Sequence, residues 1–143
     1  MSLFSAISVS ASGMAAQRTR VELLTENLAN AETTRTPDGG PYRRKDAVFS
    51  SQPVAGSFAD AFQTMVGDTG VAVSDITIDQ TEPERHYMPG HPDADKDGYV
   101  AFPHVNPAEE MVDIVDASRS FQANVSAIAA VKDMIQHSID LFK

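Results

Sequence analysis

Residues 106–143 read NPAEEMVDIVDASRSFQANVSAIAAVKDMIQHSIDLFK, and this stretch decides the fold. Asn106 is a residue type that caps helix starts, Pro107 suits the first helical position, and Glu109 sits three residues beyond the cap. Glu109, Glu110, Asp113 and Asp116 crowd the end where the helix dipole is positive, and Lys143 lies at the other end. Ile114, Phe121, Ile128, Ile135 and Phe142 recur every seven residues. Met111, Ser118, Val125, Lys132 and Ile139 form the complementary set, with Ser118 and Lys132 as its polar exceptions. Neither Gly nor Pro interrupts the pattern after Pro107, so it predicts one unbroken helix, about 57 Å long at ~1.5 Å per residue. Val112, Val115, Val131, Met134 and Leu141 fall off this seam as a second apolar strip, which suits a helix with more than one neighbour.

Such a stripe needs a partner, and the other end of the chain supplies one. Residues 3–31 lack proline, and Ile7, Met14, Val21 and Leu28 again recur every seven residues. Leu3, Leu24 and Ala31 occupy the interleaved positions, together with Ser10 and Gln17. Gly13 inside this helix costs ~1 kcal/mol relative to Ala, so its presence points to close backbone contact with a neighbour.

Between the helices the texture changes. Residues 32–105 hold seven of the eight prolines and seven of the eight glycines, which excludes long regular elements there. Thr36-Pro37-Asp38-Gly39-Gly40-Pro41 is a turn. Strands are predicted at Tyr42 to Phe49, at 70–79 and at Tyr99 to Phe102, and a short helix at Ser57 to Val66. The fold class is therefore α+β: long N- and C-terminal helices paired in coiled-coil fashion, with a small irregular β module inserted between them. The expected units are 1–31, 32–105 and 106–143.

Composition narrows the function. A net charge of -9 argues against nucleic acid and against an anionic membrane surface, both of which need a positive face. Cysteine is absent, which removes disulfides and thiolate metal sites. The apolar fraction of 42% bounds the core as modest, and the lack of Trp with only three Tyr speaks against an aromatic ligand cage. Residues 1–17 are apolar, but Ser interrupts them and the first cation, Arg18, follows rather than precedes the stretch, so no secretory signal is expected. No apolar run reaches the ~20 residues of a membrane span.

Candidate chemistry is sparse. Asp93, Asp95 and Asp97 with Gly98 match the first half of a calcium loop. Its twelfth position is His104 rather than Glu, and prolines stand where the flanking helices belong. A calcium-binding interaction module is the alternative function, and an acidic turn before a strand is the plainer reading. His86, His91, His104 and His137 lack ligand spacing. Arg43-Arg44-Lys45 reads as a solvated face or an ion-pair site for an acidic neighbouring subunit. No catalytic constellation, metal site or cofactor site is expected.

Three groups of residues carry a resemblance. Ser12-Gly13-Met14-Ala15-Ala16-Gln17-Arg18, then Glu26-Asn27-Leu28-Ala29-Asn30-Ala31-Glu32-Thr33-Thr34 and Pro41-Tyr42-Arg43-Arg44-Lys45, form the first. Glu110-Met111-Val112-Asp113 and Ala117-Ser118-Arg119-Ser120-Phe121-Gln122-Ala123-Asn124-Val125 form the second. Both resemble the terminal signatures of bacterial flagellar basal-body rod proteins. Pro89-Gly90-His91-Pro92 with Gly98-Tyr99-Val100 is similar to proximal rod subunits in particular, and Gly56 to Asp68 departs as a longer connection. The resemblance implies a non-enzymatic structural subunit of the torque-transmitting rod. It further implies residence in the rod within the periplasm and passage through the flagellar type III export apparatus without a cleavable signal. Its partners are then other rod subunits, copies of itself and neighbouring basal-body proteins. The assembly interface is assigned to Ile7, Met14, Val21, Leu24, Asn27, Leu28 and Asn30 on the first helix. On the last it is assigned to Met111, Ile114, Phe121, Asn124, Val125, Ile128, Ile135, Ile139 and Phe142. The three asparagines are candidates to bond across helix interfaces, with solvation as the alternative.

Overall fold

The computed structural model describes residues 3–37, 39–53 and 69–141. Helix α1 runs Leu3–Ala29, and helix α2 runs Pro107–Asp140. Strands β1 (Lys45–Pro53), β2 (Thr69–Ile78), β3 (Glu84–Tyr87) and β4 (Tyr99–Phe102) lie between them. This is the α+β arrangement expected: two long terminal helices packed together, with a small strand module between them in sequence.

Helix α2 begins as its sequence dictates. The Asn106 side chain accepts from the Ala108 N–H, Pro107 occupies the first turn, and Glu109 and Glu110 complement the dipole there. Its 34 residues span about 51 Å, against about 40 Å for the 27 residues of α1. The helices run antiparallel. Asn27 meets Glu110, Arg20 meets Asp113, and Gly13 lies against Asn124. A Cβ on Gly13 would stand 3.0 Å from Asn124 Nδ2, so Gly13 does mark a close approach between helices.

The β module is two separate antiparallel hairpins. In the first, Lys45 pairs with Ile78 and Pro53 with Thr69, and Ser74 is an extra residue where the register shifts between Val48 and Phe49. That bulge has a sequence cause. Val71 and Val73 alternate on odd positions, while Ile76 and Ile78 alternate on even ones. One extra residue between the two sets puts all four on the face that carries Ala47 and Phe49.

The second hairpin pairs β3 with β4, Glu84 opposite Phe102 and Tyr87 opposite Tyr99. Sequence reading had missed β3, because Glu84-Arg85-His86-Tyr87 is almost entirely polar and exposed and shows no apolar alternation. The predicted first strand is displaced: pairing begins at Lys45, not Tyr42, and continues to Pro53. Tyr42 is buried instead. The predicted helix at 57–66 lies outside the described residues, as does the whole departing connection at 56–68.

Helix α1 crosses the first hairpin diagonally. At one end the Asn27 amide bonds Lys45 N and O on the outer edge of β1, and at the other the Ser12 hydroxyl accepts from Val71 N on the outer edge of β2. Both exposed strand edges thereby gain a partner from one helix. The buried apolar side chains are few: Ala16, Leu23 and Leu24 of α1, Tyr42, Val100, and Ala117 and Val131 of α2.

Candidate assembly interface

The largest buried side chains of the described chain include two polar ones, Glu110 and Asn27, and they touch. Asn27 uses its whole bonding capacity. Its Oδ1 accepts from Lys45 N at 2.9 Å and from the Tyr42 hydroxyl at 2.9 Å. Its Nδ2 donates to Lys45 O at 2.9 Å and to Glu110 Oε2 at 3.1 Å. The amide thus stands in for one rung of a β ladder while linking α1 to α2. Arg44 Nε donates to the other Glu110 oxygen at 2.5 Å and also faces Asp46 at 3.4 Å and Asp113 at 3.8 Å. Burial opposes the charge of Arg44, but its hydrogen bond to Glu110 and the fields of Asp46, Glu110 and Asp113 outweigh it, and its pKa is raised. Lys45 Nζ pairs with Glu26 at 2.5 Å.

Arg44 and Lys45 are therefore spent inside the chain, against the expectation of a solvated face or an intersubunit ion-pair site, while Arg43 stays exposed. Arg43 bonds Asp79 O and Gln80, while Arg44 and Lys45 hold α2 and α1. Sequence reading missed Tyr42, Arg44 and Glu110 as one site. The available signal was a glutamate in the first turn of an apolar-faced helix together with cations adjoining a strand.

The asparagines divide. Asn27 does bond across helices. Asn30 acts locally, donating to Glu26 O at the end of α1 and accepting from Thr33 Oγ1. Asn124 donates to Ser120 O within its own helix. Leu24 is buried, and Ile7, Met14, Val21 and Leu28 are half-buried. Ile114, Ile128 and Ile135 are half-buried, and Phe121 is 38% exposed. The set that accompanies them against α1 is Glu110, Ala117, Asn124 and Val131, one residue before the set read from the sequence. Met111, Val125 and Ile139 face outward at 52%, 40% and 56% exposure, and Phe142 lies outside the described residues. Val131, read as part of the off-seam strip, is buried, whereas Val112, Val115, Met134 and Leu141 of that strip are exposed. Gln17, the polar exception on α1, holds an Oε1 shut from solvent with no donor among the described residues.

Two carboxylates of the Asp93 loop are engaged within the chain. Asp93 accepts from Thr34 Oγ1 at 2.8 Å and pairs with Arg35, and Asp95 Oδ1 accepts from the N–H groups of Asp97 and Tyr99. Among the described residues no three His, Asp or Glu side chains converge as metal ligands. Nothing here favours the calcium alternative over an acidic turn whose job is to close the β3–β4 hairpin.

The resemblance of the terminal signatures can be set against known proteins. Residues 7–35 match the family model for the flagella basal body rod protein, and residues 96–141 match that for the flagellar basal body rod FlgEFG protein C-terminal region. Those stretches contain Asn27 and Glu110, the two ends of the buried joint. The flagellar basal-body rod protein FlgC of Borreliella burgdorferi is 41% identical, over 100% of this chain and 99% of its own length. The FlgC of Bacillus subtilis is 39% identical over 100% of both, and that of Escherichia coli is 37% identical over 99% of this chain and 98% of its own. Full-length similarity at that level, with both helical signatures in place, makes this chain a member of the FlgC family of flagellar basal-body rod proteins.

Proposed function

We propose that this structural subunit of the flagellar basal-body rod enters the rod through the outer face of α2. The observation that carries the reading is the surface α1 leaves uncovered. Met111, Val112, Val115, Val125, Met134, Ile139 and Leu141 are each at least 40% exposed along one helix. Phe4 adds a ring that is 77% exposed near the start of α1. A monomer seldom exposes so many large apolar side chains along one helix unless neighbours cover them. The partners are other rod subunits and copies of this chain, and the subunit carries torque rather than performing a reaction. Delivery through the type III export apparatus and residence in the rod within the periplasm complete the proposal; they rest on the family alone. The units 1–31, 32–105 and 106–143 remain a working division, with the first and last acting as one helical unit.

The test is complementation. Val115→Asp and Val125→Asp change exposed positions, so the isolated variants keep the circular dichroism of the parent chain. In cells lacking the native subunit they abolish motility and leave basal bodies without complete rods. Normal swimming by both variants would remove the outer face of α2 from the assembly.

A further inference from the structure

We infer that the buried joint between Asn27 and Glu110 selects the register in which α1 and α2 pair. The apolar stripes do not select it by themselves. Ile7, Met14, Val21 and Leu28 repeat every seven residues on α1, and Ile114, Phe121, Ile128 and Ile135 do so on α2. Sliding one helix along the other by a heptad, about 10.5 Å, presents the same kind of surface again.

The polar groups do not repeat. In the observed register Gly13 faces Asn124 and Asn27 faces Glu110, and both separations along the helices are two heptads. A slip one way sets Ala117 beside Asn27. A slip the other way carries Asn27 beyond the start of α2. Either move takes the Glu110 carboxylate away from both Asn27 Nδ2 and Arg44 Nε. Arg44 cannot follow it, because the adjoining Lys45 is tied to α1 through its backbone on the Asn27 amide and its ammonium on Glu26. Tyr42 is tied to the same amide. Glu110 is thus the fully buried key on α2, beside the part-exposed Asp113 that pairs with Arg20, and its lock is built on α1. Removing a fully buried carboxylate from its donors is far costlier than exchanging one apolar contact for another of the same kind. Register matters to assembly, because it sets where the outer strip of α2 stands relative to the hairpins. The inference itself concerns the isolated chain and does not depend on the rod reading.

The chain has no cysteine, so introduced pairs report register cleanly. Gly13→Cys with Asn124→Cys reports the observed register. Arg20→Cys with Asn124→Cys reports a slip of one heptad, and Gly13→Cys with Ala117→Cys reports the opposite slip. Each pair is oxidised in two backgrounds: the native joint, and Glu110→Leu with Arg44→Met, which removes the key while leaving the Asn27 rung on Lys45. With the native joint only the 13/124 pair closes. Without the key, closure of at least one slip pair rises by about tenfold or more, as expected when a polar register determinant is lost from paired heptads. Exclusive closure at 13/124 in the keyless background overturns the inference. Loss of helical circular dichroism there also overturns it, because the stripes would then be unable to pair in any other register. As a separate arm, Ile128→Ala with the joint intact keeps 13/124 closure; slipping in that variant would assign register to the apolar seam instead.

Discussion

Asn27 is held by four hydrogen bonds, and each of its partners has little else to turn to. Asn27→Ala leaves the Lys45 N–H and carbonyl, the Tyr42 hydroxyl and one Glu110 oxygen short of a partner. The expected loss is about 3–5 kcal/mol, read as a shift of the urea midpoint. Asn27→Asp behaves differently. It keeps both acceptor bonds but sets a second carboxylate beside Glu110 Oε2, now 3.1 Å from the amide nitrogen. The pair then holds a proton more tightly when folded than when unfolded, so this variant gains stability relative to Asn27→Ala as pH falls and loses it as pH rises. An acid-insensitive difference between the two variants would contradict a direct contact. Tyr42 offers a test in the parent chain. Its hydroxyl is pushed up to about 12, first by burial and then by Glu26 and Glu110. The unfolded phenol ionises near 10, so between about pH 10 and about pH 12 the unfolded chain releases a proton that the folded one keeps. Stability is therefore full below that window and declines across it. Denaturant midpoints at about pH 9 and about pH 11 should differ for the parent, and by less for Tyr42→Phe, which has no phenol to titrate.

At the scale of elements, the bulge at Ser74 lets β2 show four apolar residues on one face across a break in their alternation. Deleting Ser74 makes β2 a simple alternation in which Val71, Val73, Ile76 and Ile78 all stay on the face of Ala47 and Phe49, because the residues on both sides of it keep their β1 partners. The half-burial of the two valines, worth about 2 kcal/mol, is then kept, so thermal unfolding should change by less than that. Slow amide exchange in β1 and β2 should persist in the deletion variant, and its loss would show that the bulge itself holds the hairpin. The second hairpin is closed by Gly98, whose φ is +81° and whose absent Cβ would lie 2.9 Å from Tyr87 Cε2. Gly98→Ala meets both the left-handed backbone and the ring, so it should destabilise by about 1–3 kcal/mol in the same measurement. The helices show the opposite economy. Helix α2 is specified by its own cap, charges and heptads, but the seven buried apolar side chains named above, two of them outside the helices, are too few for two helices of this length to be covered on more than one side.

For the whole molecule, the proposed assembly face of α2 makes effects on stability and on assembly separable. Phe121 sits at the centre of the heptad series yet is 38% exposed in the single chain. Phe121→Ala should therefore cost about 1–2 kcal/mol in the isolated subunit, less than the ~3–5 kcal/mol of a fully buried ring. If neighbours bury that ring in the rod, the remainder of the cost falls on the polymer, and in every copy. The measurement sets urea midpoints of the purified chain beside basal-body yield and motility in complemented cells. A variant that swims normally would place Phe121 outside the interface. Phe121→Leu, which keeps most of the volume, should lie close to the parent in both assays.

Much of this architecture was legible in the sequence because it is local. The helix from Pro107 onward is written in Asn106, the first-turn acids and an uninterrupted heptad, all interactions between residues within a turn or two of each other. The bulge is written in the parity break between Val73 and Ile76, and the close approach of the helices in Gly13. The terminal signatures pointed to the family through residues read singly, before their contacts were known. What tertiary structure alone decided is which groups of equal local character meet. A heptad pattern cannot say whether Glu110 or Met111 turns to α1, since the two differ by one position and Met is the more apolar. Packing turned Glu110 inward because Asn27 and Arg44, distant by 83 and 66 residues, were there to receive it. Met111 was left outward and exposed. Local propensity sets the elements; the placement of a buried charge depends on donors the sequence brings from far away.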